Sequence, residues 1–189
     1  DREVIEFEKE LYQKMYEFNN KYFPSPEFKG KIYRHELNEG KYSAEKEKEF
    51  LKIYNNLVKK YGINLKQEKH NNFLDNWYVS NVRKEIDAAF GVIKKIKDIK
   101  NKKILAIILS RTIRSCRATT HSDLATLKEP QITAYYCFKH KKICKPIFSI
   151  KDMFVRYAND TVYRLKTFSK LKKPVFYSAI TADSRTVNI

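Results

Sequence analysis

The sequence predicts a mainly α-helical fold that ends in a β-strand. Three observations support this prediction. Apolar residues recur at three- and four-residue intervals along most of the chain. Capping residues and prolines separate these stretches. Residues 175–180 show the alternation of side chains and the β-branched residues that are typical of a strand. With 189 residues, 42% of them hydrophobic and 14% aromatic, the chain can bury a substantial core.

Two helices are predicted in the first 80 residues. The first covers residues 2–22, where the apolar positions keep a helical period up to a pair of prolines. A polar loop that contains Gly30 and Gly40 follows. Ser43 is the predicted N-cap of the second helix, and Gly62 stands at its expected C-terminal cap.

Two further helices flank an irregular stretch in the second half. Asn81 is the predicted cap of a helix, and residues 102–115 are apolar nearly all round, which predicts a helix central to the core. Residues 116–148 keep no period and are expected to be irregular. Ser149 and Asp152 resemble a capping box for a long last helix. Its predicted buried stripe is Met153, Phe154, Tyr157, Val162, Leu165 and Phe168.

The charge divides the chain into three predicted units. Residues 1–80, a helical subdomain, carry 15 lysines and arginines against 14 acidic residues, whereas residues 81–173 carry 23 against 7. Residues 174–189 hold the strand and one charge of each sign. A solvated lysine-rich surface is the alternative, but the first unit balances its lysines with glutamates. The basic region, residues 81–173, is therefore predicted to face a polyanion.

Several features argue against a membrane or secreted protein. The longest apolar run, residues 104–109, is far shorter than the roughly 20 residues that span a bilayer. The first residues are charged where a signal peptide needs an apolar stretch. Three cysteines form no disulfide framework, so a reducing cytoplasm is expected.

Three arginines at every third position form the first candidate site. Arg111, Arg114 and Arg117 lie at the end of the apolar helix, among serines and threonines. Guanidinium groups match phosphate and guanine geometry, so contact with a nucleic acid is predicted. The alternative is that they neutralise the helix C-terminus and pair with Asp123 or Glu129.

A second candidate site mixes aromatic and basic residues over 135–145. Such a mixture suits a surface that follows a nucleic-acid backbone and stacks on bases. The predicted contacts are Lys139, His140, Lys141, Lys142 and Lys145.

The same stretch contains potential zinc ligands in the pattern Cys137-x2-His140-x3-Cys144. Cys116 or His121 could provide a fourth ligand. Structural zinc sites usually bring two clear pairs of ligands, and only one cluster is evident here. No metal is therefore expected: buried cysteines and an exposed histidine are the favoured interpretation.

Asp183 follows the predicted strand within Ala-Asp-Ser-Arg. Ligands of open α/β sheets lie in a crevice beyond the carboxyl ends of the strands, so this carboxylate is expected to point into such a crevice. A turn aspartate is the alternative.

Together, residues 110–130, residues 135–146 and the Ala-Asp-Ser-Arg strand end resemble the middle of N4/N6-type DNA amino-methyltransferases. The resemblance covers about residues 72–189. It implies a helical insertion or DNA-recognition domain that ends in a strand of a Rossmann-like methyltransferase sheet. It also implies S-adenosylmethionine as cofactor, with Asp183 accepting a hydrogen bond from its adenine amino group, and DNA as partner.

Two motifs of such enzymes are missing from the sequence. No two of its four glycines are close enough to form the Gly-rich cofactor loop, and no two of its five prolines are adjacent, so the Pro-Pro-Tyr motif is absent. The resemblance therefore implies an internal segment that needs the remaining methyltransferase core. By itself, this segment is expected to be inactive.

Two other functions stay open from the sequence. A non-enzymatic nucleic-acid-binding module, zinc-stapled or not, would bind RNA as readily as DNA. A structural domain that docks on another protein would show a large exposed apolar patch and no salt-dependent affinity for nucleic acid.

Overall fold

The computed structural model describes residues 2–66, 72–121 and 129–173, and this part of the chain is mainly helical. Within those ranges, no helix is long and apolar enough to cross a membrane. The elements are α1 (Arg2–Tyr22), α2 (Pro26–Tyr33), α3 (Glu39–Tyr61), α4 (Phe73–Trp77), α5 (Ser80–Lys94), α6 (Ile99–Ser115), β1 (Tyr135–Cys137), β2 (Lys142–Cys144) and α7 (Lys151–Leu171).

Helices α1 and α3 pack antiparallel through aromatic side chains. Phe7 contacts Tyr54 with ring centroids 6.2 Å apart, and Phe18 contacts Phe50 at 5.1 Å. All four rings are buried. Such edge-on aromatic contacts add to the apolar burial that stabilises this half of the core.

A short antiparallel hairpin lies against this helix pair. Strands β1 and β2 pair Tyr136 with Ile143, and both residues turn their backbone groups outward. The Asn19 amide of α1 bonds both the N–H and the C=O of Ile143, at 2.8 and 3.0 Å. The Glu47 carboxylate of α3 accepts the N–H of Tyr136 at 2.8 Å. Helix side chains thus bond a backbone group on each edge of the hairpin.

Helices α5, α6 and α7 form the second helical layer. The Glu85 carboxylate of α5 accepts the N–H of Ile150 at 2.8 Å, and the Asn81 amide donates to the Phe148 carbonyl at 2.8 Å. These bonds fix the start of α7. Farther along, the hydroxyls of Ser115 and Tyr157 hydrogen-bond at 2.6 Å and hold α6 against α7.

The helix bounds agree best with the sequence at α1 and α7, and less well between them. The predicted polar loop with Gly30 and Gly40 is wrong: α2 begins there on a Ser25 cap, and Gly40 lies inside α3. The Ser43 cap is also wrong, since Asn38 caps α3 and the Ser43 hydroxyl donates to the Glu39 carbonyl.

Two further caps and one loop also differ from prediction. Val79 precedes α5 without a side-chain cap, and Asn81 reaches the loop before α7 instead. No side-chain cap bond forms on Ile150, the N-cap of α7, so the Ser149–Asp152 capping box is wrong. The stretch 116–148, predicted to be irregular, contains the hairpin.

Burial in the second layer is lower than predicted. Helix α6 buries only the face that carries Ile108, Leu109 and Thr112, and Ile107 is 58% exposed. In α7, Met153, Phe154 and Tyr157 are half-buried, whereas Val162, Leu165 and Phe168 are exposed. Nothing in the described residues covers the C-terminal half of α7. The predicted strand at 175–180 and Asp183 lie outside the described residues.

Candidate functional site

The three predicted arginines lie at the end of α6, and the structure gives them different contacts. The Arg111 guanidinium donates to the Asp160 carboxylate at 2.7 Å and to the Thr161 hydroxyl at 3.1 Å. It also lies over the Tyr157 ring, 4.5 Å from the centroid. Together with Arg164, Arg111 lowers the pKa of Asp160. Arg111 thus joins α6 to α7.

Arg114 and Arg117 have different surroundings. Arg114 is exposed, and within the described residues no carboxylate forms an ion pair with it. Arg117 is half-buried, and its Nε donates a long 3.3 Å hydrogen bond to the Arg114 carbonyl. Among the described residues, both guanidinium groups leave most of their donors unpaired, so that these donors could bind a ligand.

The lysines in and next to the hairpin also divide into ion-paired residues and exposed residues. Lys141 pairs with Glu39 of α3 at 2.8 Å, and Lys145 pairs with Glu8 of α1 at 2.9 Å. Both ion pairs hold the hairpin on the helices.

Lys139 and Lys142 are exposed at the hairpin turn. Neither takes part in an ion pair with another described residue. Phe138 of the same turn is 55% exposed and rests edge-on against Tyr136, with ring centroids 5.1 Å apart. An exposed aromatic ring in a segment with exposed lysines is an arrangement on which single-stranded and flipped bases stack.

His140 belongs to a different arrangement, the His/Cys cluster, which consists of His121, Cys137, His140 and Cys144. One ligand atom from each residue lies within 4.8 Å of all the others. Cys137 Sγ is 3.6 Å from His121 Nδ1, and Cys144 Sγ is 3.5 Å from His140 Nδ1. The two imidazole centroids are 4.5 Å apart.

Local structure explains why these four residues meet. Cys137 ends β1, Cys144 ends β2, and His140 lies in the turn between the strands. His121 comes from the segment after α6, where its backbone N–H donates to the Tyr135 hydroxyl at 3.0 Å. Cys116, the other predicted candidate, is buried in the main core and does not join the cluster.

The surroundings favour the neutral forms of two cluster residues, His121 and Cys144. Burial, with further contributions from His140, Lys139 and Lys142, lowers the pKa of His121. Burial first, and then Cys137, raises the pKa of the Cys144 thiol to about 12. Without a bound ion, the cluster therefore holds a neutral imidazole and a protonated thiol at neutral pH.

The sequence analysis missed a cavity of about 530 Å³ between α1 and the hairpin. Its wall includes Tyr12, Tyr16, His140 and Lys142. Tyr12 is 68% exposed, and Tyr16 is 58% exposed. The signal in the sequence was the offset of these tyrosines from the buried face of Phe7, Leu11 and Phe18.

Comparison with known proteins finds one informative relative. No protein-family model matches the chain, and no solved structure matches it at a significant level. Over 188 residues, 97% of its length, the chain is 43% identical to Type II methyltransferase M.MjaII from Methanocaldococcus jannaschii. The chain spans only 35% of that protein. The resemblance to methyltransferases is thus confirmed, and the chain corresponds to a segment of this relative.

Proposed function

We propose that this chain is the DNA-contacting segment of an S-adenosylmethionine-dependent methyltransferase that modifies an exocyclic amine of adenine or cytosine. The observation that supports the proposal most is the 43% identity to a Type II methyltransferase along nearly the whole chain. Enzymes that modify a base inside a duplex take it out of the stack, and the contacts that hold the remaining DNA must come from elements around the active site.

The exposed cations support DNA as the partner. Four of the eight predicted contact residues are neither in an ion pair with another described residue nor part of the His/Cys cluster. The contact between His121 and His140 joins the segment that follows Arg117 to the hairpin turn. We assign phosphate contacts to Arg114, Arg117, Lys139 and Lys142, and base stacking to Phe138.

Cofactor binding is assigned outside the described residues. By the resemblance, Asp183 accepts a hydrogen bond from the adenine amino group of S-adenosylmethionine, which supplies the methyl group. The glycines among the described residues lie in or next to helices and form no Gly-rich loop. The proposal therefore places methyl transfer in the remaining methyltransferase core.

Helix α7 offers a surface on which that core could dock. Val162, Leu165 and Phe168, the exposed stripe, are 47%, 45% and 63% exposed. Apolar side chains aligned on one helix face are typical of an interface. The relative is nearly three times as long as this chain, so it has ample length to cover such a surface.

A matched pair of charge variants tests where DNA binds. The site variant neutralises the four proposed phosphate contacts, and the control variant neutralises four exposed lysines of residues 1–80 that have no ion pair among the described residues. The site substitutions are Arg114→Gln, Arg117→Gln, Lys139→Gln and Lys142→Gln. The control substitutions are Lys9→Gln, Lys48→Gln, Lys52→Gln and Lys59→Gln.

Both variants lose the same net charge, so only position distinguishes them. Fluorescence anisotropy with a labelled DNA duplex measures Kd. We expect the site variant to bind at least about 100-fold more weakly than wild type, since charged hydrogen bonds contribute about 1.5–3 kcal/mol each, and the control to change Kd less than about fivefold. Equal losses in the two variants would mean diffuse charge attraction rather than a binding face.

The His/Cys cluster favours a second candidate function, an autonomous nucleic-acid-binding module for DNA or RNA. An RNA duplex of the same sequence in the same assay separates the two candidates. A methyltransferase segment should prefer the DNA, whereas equal or tighter RNA binding would favour the module.

A further inference from the structure

We propose that His121, Cys137, His140 and Cys144 bind one structural zinc ion. The sequence analysis favoured no metal because only one cluster of ligands was evident, with Cys116 or His121 as a possible fourth ligand. The fold supplies the fourth, His121, from a segment 16 residues before Cys137. The proposal concerns the stability of the hairpin and does not depend on the proposed function.

The distances between ligand atoms match a tetrahedral zinc site. Zinc lies about 2.3 Å from cysteine sulfur and about 2.0–2.1 Å from histidine nitrogen, so neighbouring sulfur and nitrogen ligands of a tetrahedron are roughly 3.6 Å apart. The two sulfur–nitrogen distances in the cluster are 3.6 and 3.5 Å. All four ligand atoms lie within 4.8 Å of one another, so a small shift of the side chains closes the site around one ion.

Two separate thiol–imidazole hydrogen bonds are the alternative interpretation, and they account for less. They would explain each sulfur–nitrogen distance. They give no reason for two imidazoles to lie 4.5 Å apart beside Lys139 and Lys142. A shared ion explains all of these contacts at once.

The donor set selects zinc by its chemistry. Two thiolates and two imidazoles form the Cys2His2 set of closed structural sites, which leave no position for a substrate. Two thiolates also cancel the charge of the ion. The hairpin thus gains a crosslink without adding positive charge to a turn that already carries several cations.

The hairpin has a structural need for such a crosslink. Its strands have three residues each, and an isolated two-stranded hairpin is marginally stable at best. The side-chain bonds from Asn19 and Glu47 hold the middle of its strands on the helices. The cluster instead joins both strands to His140 of the turn and to His121 of the segment after α6. Zinc there would fix the turn that presents Phe138 and Lys139.

Cobalt titration of the metal-free 189-residue chain tests the proposal. Co2+ in a site with two thiolates gives tetrahedral visible bands and a thiolate-to-cobalt absorption in the near ultraviolet. We expect one Co2+ per chain, displaced by one Zn2+, and one zinc per chain in protein purified without chelator. Absence of both the absorption and stoichiometric zinc overturns the proposal.

Variants locate the ion. Cys137→Ser and His140→Ala should weaken cobalt binding at least about 100-fold, because even groups outside the first coordination sphere commonly change affinity about 10–100-fold. Cys116→Ser, which removes the cysteine outside the cluster, should bind as wild type does. His140 is exposed, so its variant should fold even if Cys137→Ser does not. Wild-type affinity in His140→Ala, or lost affinity in Cys116→Ser, also overturns the proposal.

Discussion

Arg111 and Arg114 are of one residue type and one helical turn apart, yet their surroundings give them different roles. Arg111 bonds Asp160 and Thr161 and covers the ring of Tyr157. Arg114 is exposed and has no carboxylate partner among the described residues. A carboxylate partner leaves a guanidinium fewer donors for a phosphate, so the two residues should respond differently to substitution.

Single substitutions to alanine test this difference. Arg111→Ala should lower the urea midpoint of unfolding, because α7 loses a charged bond and a cation–π contact, and should change DNA affinity little. Arg114→Ala should leave the midpoint unchanged and weaken DNA binding, with the salt slope of log K reduced by about 1. A reversal of these two patterns would contradict the assignment of both residues.

Asn19 provides a second test at the residue scale. Its amide is the partner of both backbone groups of Ile143. Asn19→Ala should lower the free energy of unfolding by about 1–3 kcal/mol, because both groups lose their partner in a half-buried place. Asn20, exposed on the same helix, is the matched control, and Asn20→Ala should change stability by less than about 0.5 kcal/mol. Urea denaturation measures both.

Residue-scale roles were the least predictable from the sequence. The sequence could not show that Lys141 and Lys145 form ion pairs within the protein. Their partners, Glu39 and Glu8, are about 100 or more positions away in the chain. His121 was recognised as one of two spare ligands, and only the path of the chain after α6 decides between it and Cys116.

At the scale of the elements, the hydrophobic period predicted the long helices well. It located α1 and α7 because their apolar positions recur over about six turns. It missed the hairpin because three-residue strands are too short to show an alternation. The predicted Ser149–Asp152 cap of α7 is wrong. The carboxylate that accepts the N–H of Ile150 is that of Glu85, on another helix.

Two glycines, one that caps a helix and one within a helix, give opposite predictions for the effect of alanine on stability. Gly62 caps α3 with φ of 60°, a left-handed conformation in which a side chain is strained. Gly62→Ala should destabilise the protein by about 1 kcal/mol. Gly91 lies within α5, and a Cβ there meets nothing within 4 Å. Gly91→Ala should stabilise it by about 0.5–1 kcal/mol, because alanine loses less backbone entropy in a helix.

Thermal or urea denaturation of both glycine variants measures whether Gly62→Ala is destabilised and Gly91→Ala is stabilised. Equal effects in the same direction would contradict the backbone conformations described for the two positions.

Helix α7 gives a further prediction, on burial. Phe168→Ala in the 189-residue chain should cost less than about 0.5 kcal/mol, because the side chain is 63% exposed. Phe148→Ala is the matched comparison: its ring is 1% exposed and packs on Phe7, so its loss should cost about 3–5 kcal/mol. Urea unfolding measures both, and a large loss at Phe168 would mean that the exposed stripe is covered within this chain.

At the scale of the whole molecule, the uneven charge is the feature that links sequence to proposed function. The sequence located the excess in residues 81–173, and the structure divides the predicted contact residues between internal ion pairs and an exposed group at the hairpin and the end of α6. Further exposed cations of this region lie along α5, α6 and α7. Asp183 lies outside the described residues, and its proposed role as a cofactor ligand follows from the resemblance.

The salt dependence of DNA binding by the 189-residue chain tests the central claim most directly. Log K should fall linearly with log salt, by roughly 0.9 for each phosphate contacted, and the four-residue site variant should reduce that slope by about 3–4 relative to wild type. The control variant should keep the wild-type slope. A wild-type affinity that does not depend on salt, or a site variant with an unchanged slope, would contradict the claim that these cations meet the phosphates of DNA.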